Sequence, residues 1–108
     1  MLVDGLPIYS CSTLAMDVEG KEVTTVEGLA EGDRLHPVQE AFIEKDAMMC
    51  GFCTSGFVVS VTALLEANPN PTLEDVKKAV SGNLCRCGTY PRIFEAALLA
   101  AERMREGA

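Results

Sequence analysis

The chain has 108 residues, enough for one compact domain or for one domain with part of another. Its formal net charge of -7 leaves no basic stripe for nucleic-acid phosphates, and the absence of Trp removes an obvious platform for base stacking. Apolar residues make up 48% of the chain, yet no uninterrupted apolar run approaches the length of a membrane span. We therefore expect a small acidic protein that binds neither nucleic acid nor membrane and docks to a protein partner.

The first 28 residues predict short pieces of β-structure. Asp4-Gly5 between apolar residues is typical of a tight hairpin turn. The β-branched run at residues 22–26 predicts one more strand. Two or three short strands rarely stand alone in water, so we expect residues 1–28 to be the C-terminal end of a larger β-rich domain.

A short helix is predicted inside this region, at residues 14–18. Ser12 or Thr13 is placed to cap its start, and Gly20 to end it. The chain opens without the basic region and apolar run of a secretory signal, so we expect a cytoplasmic protein.

Residues 29–108 show helical periodicity and form the second predicted domain. Pro37, which is tolerated in a first turn, predicts a helix that begins there. A second helix is predicted to start at Thr54 or Ser55 and to stop at the two prolines of residues 68–71. The apolar residues of both helices recur every three or four positions. They are Val38, Ala41, Phe42, Phe57, Val58, Val61, Leu64 and Leu65.

Two further helices follow. Residues 72–75 resemble a capping box that starts the third helix, and Gly82-Asn83 ends it. Pro91 begins the fourth helix. Four amphipathic helices joined by short links predict a mainly α fold, a four-helix bundle that follows a short β-hairpin and strand. The apolar residues of the third and fourth helices are Leu73, Val76, Val80, Ile93, Phe94, Ala97, Leu98 and Ala101.

Four of the five cysteines form two close pairs, Cys50 with Cys53 and Cys85 with Cys87. Together they supply the four thiolates that a tetrahedral zinc site or a [2Fe–2S] cluster requires. Three other interpretations are open: buried thiols without metal, disulfides between the pairs, and a C-x-x-C redox motif that leaves the second pair unexplained.

The positions of these pairs favour the cluster over zinc. Each pair precedes a predicted helix, so two helix N-termini with partial positive charge would face one centre and stabilise thiolates and an added electron. Gly51 and Gly88 would let backbone N–H groups approach the sulfurs. The C-x-C spacing is also uncommon for zinc. His36, the only histidine, is expected to cap a helix or lie on the surface.

The segments at residues 50–56 (CGFCTSG), 82–90 (GNLCRCGTY) and 35–42 resemble the helical [2Fe–2S] domain of the molybdenum hydroxylases. That family includes xanthine dehydrogenase and aldehyde oxidoreductase. The resemblance implies an oxidoreductase subunit whose cluster accepts electrons from a molybdopterin-binding large subunit. It passes them to a second cluster and on to FAD in a medium subunit or to an external acceptor. The cluster ligands that the resemblance implies are Cys50, Cys53, Cys85 and Cys87.

The resemblance also assigns positions that depart from the family. Cys11 matches one ligand of a second cluster, in a ferredoxin-like domain whose other three ligands would precede Met1. We therefore expect Cys11 to be an orphan ligand of a truncated domain, or of one that a separate polypeptide completes. Met49 stands where a pterin-contacting Gln is common, and Ser55 replaces the usual Pro. No nucleophile–base or acid–base pair is recognisable, so no catalytic residue is expected in this chain.

Overall fold

A computed structural model describes residues 1–107 and contains a small antiparallel sheet followed by four α-helices. The sheet comprises β1 (Leu2–Val3), β2 (Leu6–Pro7) and β3 (Val23–Thr24), in the order β2-β1-β3. Asp4 and Gly5 join β1 to β2 with φ of 50° and 83°. A two-residue hairpin turn with positive φ at both positions matches the twist of the strands, and the predicted hairpin is confirmed.

Three short 3-10 helices connect these strands and lead into the helical region, at Ser10–Ser12, Ala15–Val18 and Val26–Gly28. The helix predicted near residue 14 is therefore present, but the prediction of its cap is wrong. Leu14 occupies the position before its first residue, and no side chain caps it. The Thr13 hydroxyl instead donates to the carbonyl of Tyr9 at 2.8 Å, because the chain has already turned once through Ser10–Ser12.

Helix α1 spans Pro37–Glu44, and His36 caps it as predicted. The Nδ1 atom of His36 accepts a hydrogen bond from the Val38 N–H at 3.1 Å, and the Gln39 side chain accepts one from the His36 N–H at 2.9 Å. Burial lowers the pKa of His36, although the charge of Glu66 opposes that shift. A neutral ring is what the cap requires, since Nδ1 must keep a free lone pair to accept the bond.

Helices α2 (Thr54–Ala67), α3 (Leu73–Ala79) and α4 (Tyr90–Glu106) begin within one residue of their predicted starts. The capping box of α3 is confirmed: Thr72 and Asp75 exchange side-chain-to-backbone hydrogen bonds of 3.2 and 2.9 Å. The three apolar residues predicted to line α3 differ in burial. Leu73 is 42% exposed, whereas Val76 and Val80 belong to the main core.

The main core lies between the four helices and includes Cys85. Helix α1 packs along α4, and exposed ion pairs join Glu44 to Arg103 and Asp46 to Arg92. The sheet is attached to α2 by a second, smaller cluster, in which Leu2 contacts Val59 and Ala63. Within residues 1–107, no helix is both long and apolar enough to cross a membrane.

Candidate metal centre

The loops before α2 and α4 carry the two cysteine pairs to one end of the helical core. Cys53 occupies the N-cap position of α2, while Cys85 and Cys87 lie in the loop that leads to α4. The starts of both helices are held side by side, since the rings of Phe57 and Tyr90 meet edge to face at 6.0 Å and 73°. The predicted placement of the cysteines just before two helices is confirmed.

The four thiols form two pairs, and each pair joins a cysteine of one loop to a cysteine of the other. Cys53 is half-buried, Cys85 is buried, and their thiols interact; we call them the inner pair. Cys50 and Cys87 are exposed and also interact; we call them the outer pair. Each pair thus takes one cysteine from each sequence motif. All four are free thiols.

An open cavity of about 410 Å³ lies over this group. Within residues 1–107, no three Cys, His, Asp or Glu side chains converge on a position for one metal ion. The cavity is lined by Cys50, Phe52, Cys53, Leu84, Cys85, Arg86 and Tyr90.

The two thiols of the inner pair have opposite pKa shifts. Burial raises the pKa of Cys53 to about 11, and the neighbouring Cys85 adds to the rise. The Thr89 hydroxyl lowers the pKa of Cys85 to about 6, helped by backbone N–H groups of Thr89 and Cys87. In the outer pair, the Cys50 N–H opposes a rise in the pKa of Cys87, but the Cys50 thiol and desolvation leave it above its ordinary value. The site therefore favours a thiolate at Cys85.

The turn from Cys85 to Tyr90 folds back on its own first residue. The Cys85 N–H donates to the Tyr90 hydroxyl at 2.7 Å, and its sulfur lies 2.9 Å from the Thr89 Oγ1. Gly88 closes the turn with a hydrogen bond to the Cys85 carbonyl at 3.2 Å and has φ of 77°. Sequence reasoning missed Thr89 and Tyr90. The sequence signal that could have indicated Thr89 is a threonine at the start of a helix, four residues after a cysteine.

The loop from Cys50 to Cys53 also needs a glycine. Gly51 has φ of 85°, a conformation that L side chains rarely adopt. Of the two arginines near the site, Arg86 lines the cavity and Arg92 forms an exposed ion pair with Asp46 at 3.3 Å.

Cys11 lies elsewhere. It belongs to the first 3-10 helix and is exposed, with its sulfur 3.8 Å from the Ser12 hydroxyl. It lines a different cavity, beside Tyr9 and Gly82. The Tyr9 hydroxyl donates to the Gly82 carbonyl at 3.0 Å and so ties the Cys11 segment to the loop that leads to Cys85.

Residues 25–98 match the family described as "[2Fe-2S] binding domain". The chain is 54% identical over 98 residues to the nicotine 6-hydroxylase small subunit of Paenarthrobacter nicotinovorans, a match that covers 91% of this chain and 59% of that protein. It is 44% identical over 101 residues to the xanthine dehydrogenase iron-sulfur-binding subunit of Escherichia coli O157:H7, covering 91% and 63%. The chain therefore spans about three fifths of the length of these relatives.

A solved structure shows the same fold. The crystal structure of quinoline 2-oxidoreductase from Pseudomonas putida 86 superposes with a TM-score of 0.89 at 42% identity, over 98% of this chain and 67% of that chain. The resemblance that the cysteine motifs indicated is thus confirmed by overall sequence and by fold. The chain belongs to the [2Fe-2S] binding domain family, and its relatives are iron–sulfur subunits of xanthine dehydrogenase and aldehyde oxidoreductase enzymes.

Proposed function

We propose that this chain is the [2Fe–2S] electron-transfer subunit of a molybdenum hydroxylase. The observation that carries the proposal is the grouping of four free thiols in an inner and an outer pair at the starts of two helices. The ligands in this proposal are Cys50, Cys53, Cys85 and Cys87.

The residues present fit a two-iron cluster. Thiolates are the ligands that iron–sulfur clusters take, and such a cluster carries two of them on each iron. We assign the inner pair to one iron and the outer pair to the other, so that each iron joins the two loops. Gly51 and Gly88, both with positive φ, leave the backbone free to approach the sulfurs. The zinc alternative gains no support from the family match.

The cluster, when bound, stores and releases a single electron. The chain's own contribution is to hold four thiolates, with Cys85 buried, Cys53 half-buried, and Cys50 and Cys87 at the surface. Since no nucleophile–base or acid–base pair is recognisable in the sequence, we assign the hydroxylation reaction to a partner.

The face around the outer pair is suited to a protein partner. Phe52 and Leu84 line the site cavity and are 94% and 81% exposed, and Met49 close by is 61% exposed. Apolar side chains grouped at a functional site mark an interaction surface. We propose that the molybdopterin-binding large subunit docks here, with Cys87 nearest to the pterin. An FAD-binding medium subunit or an external acceptor would take the electrons onward.

We propose a separate role for Cys11 as one ligand of a second cluster, in a ferredoxin-like domain that includes residues 1–28. Its exposed thiol and the small buried area of this region support that proposal. The remaining ligands would come from outside residues 1–107. Five free cysteines also fit a reducing compartment, and we propose the cytoplasm.

Anaerobic reconstitution with iron and sulfide tests the cluster assignment. We expect about two iron atoms per chain, visible charge-transfer bands, and an S = 1/2 signal on reduction. A colourless chain that prefers zinc and gives no such signal would refute the proposal. For the docking face, Phe52→Asp should weaken co-purification with the large subunit while the iron content stays at about two.

A further inference from the structure

The contact between Thr89 and Cys85 is not explained by helix capping. Thr89 is the N-cap residue of α4, a position where a threonine hydroxyl normally accepts a hydrogen bond from an N–H of the first turn. No such bond is formed here. The Thr89 Oγ1 lies instead 2.9 Å from the Cys85 sulfur, and the two residues are 5% and 7% exposed. The hydroxyl is therefore directed at the sulfur rather than at the helix.

The direction of this hydrogen bond follows from the chemistry of the two groups. A cysteine that binds iron does so as a thiolate, which has no proton to give. The Thr89 hydroxyl must then be the donor. A hydrogen bond to an ionised acceptor is stronger than one between neutral groups, and the exclusion of water strengthens it further.

This hydroxyl has no equivalent at the other three cysteines of the site. Within residues 1–107, the one other hydroxyl that reaches a cysteine sulfur is that of Ser12, at Cys11. The backbone of Cys85 is also fixed, since its N–H donates to Tyr90, whose ring packs against Phe57. The backbone that carries the Cys85 sulfur is thus held by contacts that do not involve the Thr89 hydroxyl.

We propose that Thr89 raises the reduction potential of the cluster by donating a hydrogen bond to the Cys85 sulfur. This inference rests on the proposed function. The reduced cluster carries one more negative charge than the oxidised cluster, so a donor to a ligand sulfur stabilises the reduced form more. Thr89 is a positioning residue in this scheme, because it acts through Cys85 and does not touch iron.

The test compares threonine replacements in the reconstituted chain by redox titration followed by visible absorbance and EPR. Both Thr89→Val and Thr89→Ala remove the hydroxyl. Valine keeps most of the side-chain volume, and alanine does not. Thr89→Ser keeps the hydroxyl. Thr62→Val is the matched control, because it also removes a buried threonine hydroxyl, one that donates to the Val58 carbonyl at 2.8 Å in the middle of α2.

We expect a shift of the midpoint potential to more negative values in Thr89→Val and Thr89→Ala. Thr89→Ser and Thr62→Val should match the wild type. An unchanged potential without the hydroxyl, or an equal shift in Thr62→Val, would overturn the inference. Loss of the cluster from both hydroxyl-free variants, with Thr89→Ser fully loaded, would also overturn it, since the hydroxyl would then hold the cluster rather than tune it. A wild-type chain that binds no cluster would instead refute the proposed function.

Discussion

The β-containing region at residues 1–28 and the helical region differ in how deeply they bury cysteine. In the helical region, Cys85 is a member of the main core and is 7% exposed. In the β-containing region, Cys11 lies on the surface of a 3-10 turn, and Leu2 and Val3 are the buried hydrophobic residues. The comparison teaches that the inner pair of the four-cysteine site is part of the packing of the bundle, whereas Cys11 lies outside both clusters of buried residues.

The largest expected difference between the regions is in iron content. Cys53→Ser and Cys85→Ser should each lose or badly destabilise the cluster, because one thiolate in four is removed and metal binding is coupled to folding. Cys11→Ser should keep about two iron atoms per chain. Iron and sulfide analysis of the reconstituted variants checks this. If Cys11→Ser halved the iron, a second cluster would already be present, shared with another chain or between two copies.

The second expected difference is in stability. Phe57 is fully buried in the main core, so Phe57→Ala should lower the free energy of unfolding of the metal-free chain by about 3–5 kcal/mol. Leu2→Ala removes a side chain from the smaller cluster and should cost about 2 kcal/mol. Urea denaturation followed by circular dichroism measures both. Equal costs would show that the sheet is as strongly attached as the helices are to one another.

The third difference appears in the pH dependence of the metal-free chain. The pKa of Cys85 is about 6 in the folded state, below the ordinary value of 9.0. A thiol with a lowered folded pKa stabilises the fold above its unfolded pKa, and this contribution is lost as the pH falls through the folded pKa. The wild type should therefore gain stability over Cys85→Ala between pH 6 and pH 9.

Cys53 does not reverse that trend. Its pKa is raised to about 11, so the protonated thiol favours folding below pH 9 and this contribution is lost only as the pH rises through about 11. Urea midpoints at pH 6, 7.5 and 9 give the comparison. Cys11→Ala serves as the control and should follow the wild type, and a flat difference between wild type and Cys85→Ala would contradict the prediction.

The smallest expected effect concerns the contact that joins the two regions. A Cβ at Gly82 would lie 1.9 Å from the Tyr9 Oη, so Gly82→Ala must displace the tyrosine and break its hydrogen bond. We expect a loss of about 1 kcal/mol from Gly82→Ala and from Tyr9→Phe alike. The double variant should lose no more than either single variant, because both remove one interaction. Additive losses would show that the contact does not couple the regions.

Local signals were sufficient to predict the helices and the approach of the two cysteine motifs. Pro37, the Thr72 capping box and the prolines after α2 each act within a few residues, and the structure has helix ends at all three. Leu73 was predicted to line α3 together with Val76 and Val80, yet it is exposed. The exposure of Leu73 depends on how α3 packs against the other helices, and local sequence patterns do not determine that packing.

The arrangement inside the site was not predictable in the same way. Spacing brings Cys50 and Cys53 near Cys85 and Cys87, but it does not say which thiol of one loop meets which thiol of the other. Which thiols meet depends on how the two loops are positioned relative to each other in the folded protein. The Thr89 contact was missed for a related reason: a threonine at a helix start is expected to cap the helix, and only the folded turn shows that its hydroxyl reaches a sulfur.

The open cavity that Phe52 and Leu84 border is also lined by Cys50 of the outer pair and by both thiols of the inner pair. This geometry has a consequence for the order of maturation. A donor that delivers iron and sulfide must reach the inner thiols across the face that we propose the large subunit covers, so the two events compete for one surface. Cluster insertion should therefore come before subunit assembly. A metal-free chain already bound to the large subunit should take up iron far more slowly than the free chain does.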